Sequence, residues 1–241
     1  MNSRAAAGFF LALGSLTTSL VAASALDDPL WAKAIGIASA NSNWVPGLTI
    51  IRTEVLEGGK SEGVHEVWQR SSLGAKDEVA TQTVKVLEDG KDVTAREKKK
   101  IDTKADRKVT AKLGGHPFDL KAQGQLVVKA TEQTKLISNR NCVAYEFELR
   151  STNGVLTKGV SWLEKETGWP AEIENMTMNP LPDKHFKRMG ITTRYEASPE
   201  GRWQAKEVIT TGTVSVMFIK ADIRSTTTFS DYWKKPSKGE H

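Results

Sequence analysis

The sequence predicts a mainly β (α+β) fold: one curved antiparallel sheet forming an incomplete β-barrel with a helical lid. Three observations predict it. Short runs rich in Thr, Val, Ile and aromatic residues lie on either side of an irregular middle segment, and turn residues separate them at regular spacing. The best-defined runs alternate apolar and charged residues, so each strand has one apolar face and one solvated face. One stretch near the N-terminus has the pattern of an amphipathic helix, and with the middle segment it is all that remains to cover the apolar face, so the sheet can curl around them. Strands that follow one another with so little helix between them exclude a parallel α/β arrangement.

The elements follow in order. Arg4, the apolar run Ala5 to Ala22 and the small-x-small triplet Ala23-Ser24-Ala25 read as an export signal. Residues 1–25 are therefore expected to be a signal peptide cleaved after Ala25, with residues 26–241 forming a single periplasmic domain. Gly8, Gly14, Ser15 and Thr17 dilute the run and argue against a retained membrane anchor. Leu26, not a cysteine, stands directly after the expected cleavage site, so no lipid anchor is expected at the mature end.

"DPLWAKAIGIASAN", Asp28 to Asn41, predicts a helix capped by Asp27 or Asp28, with Pro29 in its first turn. Leu30, Ala34 and Ile37 are expected to share its apolar face. "GLTIIRTEVLE" and "GVHEVWQRS", parted by Gly58-Gly59, predict a hairpin. A further strand runs to the turn at Asp89-Gly90. The middle segment, Lys91 to Gly124, breaks the pattern. There, "LGGHPFDL" predicts a turn with an apolar hook made by Phe118 and Leu120. From Gln125 onward, eight β-like runs follow, most of them ended by a short turn such as "SNRN", "TNG" or "PEG".

Alternation assigns the faces. In "CVAYEFELR", Val143, Tyr145, Phe147 and Leu149 lie on one side, with Glu146, Glu148 and Arg150 on the other. In "WPAEIEN", Trp169, Ala171 and Ile173 are expected to oppose Glu172 and Glu174. In "WQAKEVI", Trp203, Ala205 and Ile209 are expected to share a face, on which Glu207 falls awkwardly. The carboxylate pairs Glu146/Glu148 and Glu172/Glu174 are expected to be solvated.

Composition excludes several classes. Cys142 is the one cysteine, so an intramolecular disulfide and a multi-cysteine metal site are both impossible. The four histidines, His65, His116, His185 and His241, follow no metal-binding spacing. There is no G-x-S-x-G elbow and no phosphate-binding loop. No cofactor and no catalysis are expected. The net charge of +5 is mild, and "REKKKIDTKADRK", Arg96 to Lys108, carries much of it without an aromatic residue for base stacking. That run suits a solvated surface, an envelope protein or an anionic membrane, and not nucleic acid.

"GVSWLEKETGWPAEIE", with the later "RYEASPEGRWQAKEVITTGTVSVMFIKADIRSTTTFSDYW", resembles the LolA/LolB-like family of outer-membrane lipoprotein-sorting proteins. The marks are Glu166-Thr167-Gly168 with Pro170, then Tyr195, Gly201 and Trp203, and finally Phe229. The resemblance runs from about Gln125 to Trp233. It implies an incomplete β-barrel lidded by helices, an apolar cavity for acyl chains, and a periplasmic carrier without catalysis. The expected cargo is an acyl chain or a lipoprotein. Tyr145, Phe147, Trp162, Trp169 and Ile173 are the residues expected to line the cavity. The alternative is an envelope interaction or sensor module with a filled interior that binds a protein partner.

Overall fold

Asp28 starts helix α1, Pro29–Ala40. In the computed structural model, which describes residues 27–74, 78–97, 116–151, 154–179, 181, 186–216 and 219–236, its Oδ1 accepts hydrogen bonds from the N–H groups of Leu30 and Trp31, both at 2.9 Å. Such a cap contributes about 1 kcal/mol. Asn41 closes the other end, its side chain donating to the Ile37 carbonyl at 2.9 Å. The expected export signal and the basic run beyond Glu97 lie outside the described residues.

The buried stripe of α1 is rotated from the expected one. Trp31, Ala34 and Ile35 are buried, while Leu30 and Ile37 are only partly covered. The indole of Trp31 sets the rotation. It is the largest apolar surface on the helix, and its N–H reaches a buried acceptor, Gln123 Oε1, at 3.2 Å.

Thirteen strands follow among the described residues. The first six are β1 (Trp44–Val45), β2 (Leu48–Glu57), β3 (Lys60–Leu73), β4 (Val79–Glu88), β5 (Lys91–Asp92) and β6 (Leu126–Ile137). The others are β7 (Arg140–Arg150), β8 (Leu156–Glu164), β9 (Pro170–Asn179), β10 (Phe186–Ala197), β11 (Trp203–Val216), β12 (Ile219–Ser230) and β13 (Trp233–Lys234). Eleven of them form one antiparallel sheet in the order β5-β4-β3-β2-β12-β11-β10-β9-β8-β7-β6. Successive hairpins build β6 to β12, and β12 then pairs with β2 to attach the N-terminal hairpins. The sheet is curved and its two ends do not meet, so the expected incomplete barrel is what forms. β1 and β13 pair apart from it as a short clasp.

The concave face is covered by α1 and by the segment 116–125, whose last six residues form a 3-10 turn. Tyr145, Phe147, Leu149, Leu163 and Ile173 from β7 to β9 pack with Trp31, Ala34, Ile35 and Phe118 in the main core. The expected hook is therefore half right: Phe118 is buried, but Leu120 is exposed. Gln123 ties this segment together, donating to the carbonyls of Pro117 and Asp119, both at 2.8 Å, while accepting from Trp31.

Two bulges correct the faces read by simple alternation. Between β10 and β11, Arg194 lies opposite Glu207 but Tyr195 lies opposite Ala205, so Lys206 is an extra residue. One inserted residue reverses every later side chain. Glu207 turns to the outer face and pairs with Arg194 at 2.9 Å. Val208 turns inward and Ile209 outward, so Ile209 does not share the face of Trp203 and Ala205 as expected. Between β8 and β9, Trp162 faces Glu172 while Leu163 faces Pro170. Ala171 is the extra residue there. It packs with Cys142, Ala144 and Trp162 on the outer side, away from Ile173.

The outer face also corrects the expected solvation of Glu172. This residue is only 5% exposed. Its two oxygens receive Lys135 Nζ at 3.0 Å and Arg194 Nε at 2.9 Å. The small outer cluster of Cys142, Ala144 and Ala171 explains the burial, because these long cations lie across it and close over the carboxylate. Glu146 and Glu148 are exposed, as expected.

Gly159 on β8 marks a close approach. A Cβ there would stand 2.9 Å from Cζ of the buried Phe147 ring and 3.2 Å from Met176 Cα. Gly159→Val is expected to cost about 1–3 kcal/mol by overpacking, seen as a lowered denaturation midpoint at unchanged slope.

Candidate ligand-binding site

The length of α1 leaves the concave face incompletely covered. Twelve residues span about 18 Å, while eleven strands spaced about 4.8 Å apart extend to about 48 Å along the sheet. The helix covers β7 to β9. Where it ends, over β10 to β12, a cavity of about 850 Å³ opens.

Its walls come from four places. The C-terminal end of α1 and the chain after it give Ala38, Ser39, Asn41, Ser42, Trp44 and Pro46. The segment after residue 115 gives His116, Phe118, Asp119, Leu120 and Lys121. The sheet gives Thr193, Tyr195, Trp203, Gln204, Ala205, Val208 and Phe229, and Tyr232 follows from the clasp. Aromatic rings dominate. Tyr195 and Trp203 are stacked with centroids 4.3 Å apart, and His116 stands edge-on to both at 6.2 and 6.3 Å. The bulge at Lys206 is what aims both Ala205 and Val208 inward.

The polar groups are few and connected. His116 Nε2 lies 2.7 Å from the Tyr195 hydroxyl. The Phe118 N–H donates to His116 Nδ1 at 3.3 Å. Because Nδ1 accepts, the proton of the neutral ring is assigned to Nε2, which donates to Tyr195. Trp203 Nε1 donates to the Pro170 carbonyl at 2.8 Å, and the Tyr232 hydroxyl to the Ala205 carbonyl at 2.6 Å. Burial pushes the pKa of the Tyr195 hydroxyl up, so it stays a phenol.

His116 as a residue keeps solvent exposure, yet Phe118, Tyr195 and Trp203 stand around its imidazole. That desolvation lowers its pKa to about 4, with Asp119 opposing the shift. A histidine with a depressed folded pKa binds its proton more readily in the unfolded chain. Stability from this group is therefore complete above the unfolded pKa of about 6.5 and declines as pH falls from there toward 4. Thermal melts across that window are expected to show a larger loss of Tm for the native protein than for His116→Phe.

The five residues expected to line the cavity lie elsewhere in the fold. Tyr145, Phe147 and Ile173 are packed in the main core beneath α1. Tyr145 donates to the Asp28 carboxylate at 3.0 Å, and burial, then that carboxylate, raises its pKa. Trp162 lies on the outer face under Lys135. Trp169 packs at the edge of the core beneath Arg140. None of the five lines the 850 Å³ cavity, although Phe147 borders a smaller outer groove at Gly159. The structure brings together Tyr195, Trp203, Phe229, Tyr232, Phe118, Trp44 and His116 instead. The marks of the family resemblance single out Tyr195, Trp203 and Phe229, but nothing in the sequence joins them to the others. Aromatic residues make up 7% of the chain, and six of Phe, Trp and Tyr gather at this one hollow.

These observations define an open antiparallel half-barrel with a lidded, aromatic-walled cavity. No family model matches the chain, and no curated protein sequence matches it. Among solved structures it is similar to an outer membrane lipoprotein-sorting protein domain from Vibrio parahaemolyticus, with 14% identity over 87% of this chain and 95% of that one, at a TM-score of 0.40. It is also similar to a LolA superfamily protein from Nitrosomonas europaea, with 11% identity over 90% and 95% of the two chains, at 0.38. A chain of the Pseudomonas aeruginosa MucA/MucB complex is 10% identical over 89% and 100%, at 0.25.

Proposed function

We propose that this protein is an exported, non-catalytic carrier that holds the acyl chain of a lipid or lipoprotein in the cavity between α1 and strands β10 to β12. The observation that carries this reading is the cavity itself. At about 850 Å³ it falls in the range of sites that bury most of a small ligand. Its walls are mainly apolar, with few convergent polar groups. Each methylene placed in it contributes about 0.8 kcal/mol, so a single chain gives useful affinity. The core residues Tyr145, Phe147 and Ile173 support α1, which forms one wall. The expected signal peptide, residues 1–25, supports a periplasmic location, and the basic run Arg96 to Lys108 suits docking to an anionic membrane surface or an envelope protein.

The test is direct. Full-length mature protein, delipidated and titrated with a fluorescent fatty-acid analogue, is expected to bind it saturably and to lose it to an unlabelled single-chain amphiphile. Native mass spectrometry of freshly purified protein is expected to show a co-purifying amphiphile. No uptake and no bound amphiphile together would reject the carrier reading.

A further inference from the structure

On the mainly apolar wall of the cavity, the hydrogen-bonded chain from His116 to Tyr195 has a fixed direction. The Phe118 N–H occupies Nδ1 of His116, so Nε2 carries the proton and donates to the Tyr195 oxygen at 2.7 Å. With its oxygen already accepting, Tyr195 turns its own O–H onward. The Thr193 hydroxyl interacts with it, and both residues line the cavity. Whichever hydroxyl comes last, the chain ends on an O–H donor. A donor left facing an apolar hollow costs free energy until an acceptor reaches it.

We infer that the Tyr195 and Thr193 hydroxyls form an anchor for the carbonyl oxygen of an acyl ester or amide, and so select acylated cargo over plain alkyl chains. This rests on the carrier reading and deepens it. Charge supports a neutral acceptor. Among the described residues that line the cavity there is no arginine, and the two charged side chains, Asp119 and Lys121, oppose each other in sign. Asp119 is engaged locally, accepting from the Lys121 N–H at 2.9 Å. A free carboxylate therefore enters with no countercharge in excess and must shed its water, whereas an ester or amide carbonyl gives the same acceptor at smaller cost.

The probes are a matched pair: a lysophospholipid with one ester-linked acyl chain, and its ether-linked counterpart, which has the same chain and headgroup but no carbonyl. A fatty acid of equal length is the third probe, and an N-acylated peptide the fourth. One buried hydrogen bond corresponds to roughly five- to tenfold in affinity. The native protein is expected to bind the ester tighter than the ether by about that factor, and the fatty acid at pH 7.4 more weakly than the ester. Tyr195→Phe keeps the ring against Trp203, and in it the ester-to-ether ratio is expected to fall to about one.

Outcomes separate cleanly. An amide-linked probe that matches the ester supports the anchor and admits acylated proteins as cargo; one as weak as the ether restricts the anchor to esters. Equal binding of ester and ether by the native protein overturns the anchor and leaves the carrier reading standing. A ratio that persists in both Tyr195→Phe and Thr193→Val overturns the assignment to these hydroxyls. A fatty acid that binds best overturns the neutral acceptor. Absence of binding by every probe rejects the carrier reading and the anchor with it. The native comparison needs no substitution, so a variant that fails to fold does not weaken the test.

Discussion

Replacing Trp31 with alanine is expected to destabilise the protein by about 3–5 kcal/mol, the cost of truncating a buried tryptophan where the surroundings cannot collapse. Trp31 is fully buried and joins three parts of the molecule. Its ring lies 4.8 Å from that of Phe118 and 5.5 Å from that of Tyr145. Its N–H holds Gln123, which in turn holds the carbonyls of Pro117 and Asp119. Removing the indole opens a hole under α1 and leaves the Gln123 oxygen, on a residue 8% exposed, without its donor. For a chain of this length each kcal/mol lowers Tm by about 2–4 °C, so a fall on the order of 10 °C is the readout. Trp31→Phe is expected to keep part of the packing and lose the hydrogen bond, falling between the two. A Trp31→Ala protein that melts with the native one would show that α1 is a bystander to the core.

The part Trp31 plays also marks how far the sequence could be read. The fold class was legible because period-two alternation is local. Val143, Tyr145, Phe147 and Leu149 share a face in any strand they form, and Gly168, with φ +77°, occupies the kind of turn only glycine enters freely. The helix start was legible because Asp28 before Pro29 is a local cap. What alternation cannot register is an inserted residue. Lys206 and Ala171 each reset the parity of a strand, and the only warning was that Glu207 fell on the wrong side. Nor does alternation tell which part of a concave face is roofed. Tyr145 and Tyr195 are both inward tyrosines, yet α1 covers the first and stops short of the second. That difference depends on where a helix lies across strands distant in sequence, and no run of neighbouring residues encodes it. For the same reason the cavity residues His116, Tyr195, Phe229 and Tyr232 come from positions scattered over more than a hundred residues, while the five expected residues came from one contiguous set of hairpins.

Val208→Trp is expected to abolish cargo uptake while leaving the fold standing. Val208 reaches the cavity because of the bulge at Lys206, and it sits opposite Thr193 on the floor of the hollow. Val208 packs on one side against the cluster of Met178, Met189 and Ile191 and borders the cavity on the other, so an indole has open volume beside it and the strain is smaller than for an insertion enclosed on all sides. Its effect on cargo is large, since displacing even two methylenes costs about 1.6 kcal/mol, more than a tenfold loss of affinity. Val208→Ala supplies the opposite change, widening the cavity slightly and keeping uptake within a few-fold. The measurement is the same fluorescent fatty-acid titration for all three proteins, read beside their thermal melts. If Val208→Trp melts normally and still binds with native affinity, cargo does not occupy the cavity between α1 and β10 to β12. Binding would then have to be sought on another surface, such as the outer groove at Gly159, where Val127, Lys129 and Lys158 flank Phe147. Loss of uptake with an unchanged melt separates occupancy from stability, because the roof over the core, centred on Trp31, is untouched by a substitution at the floor of the hollow beside it.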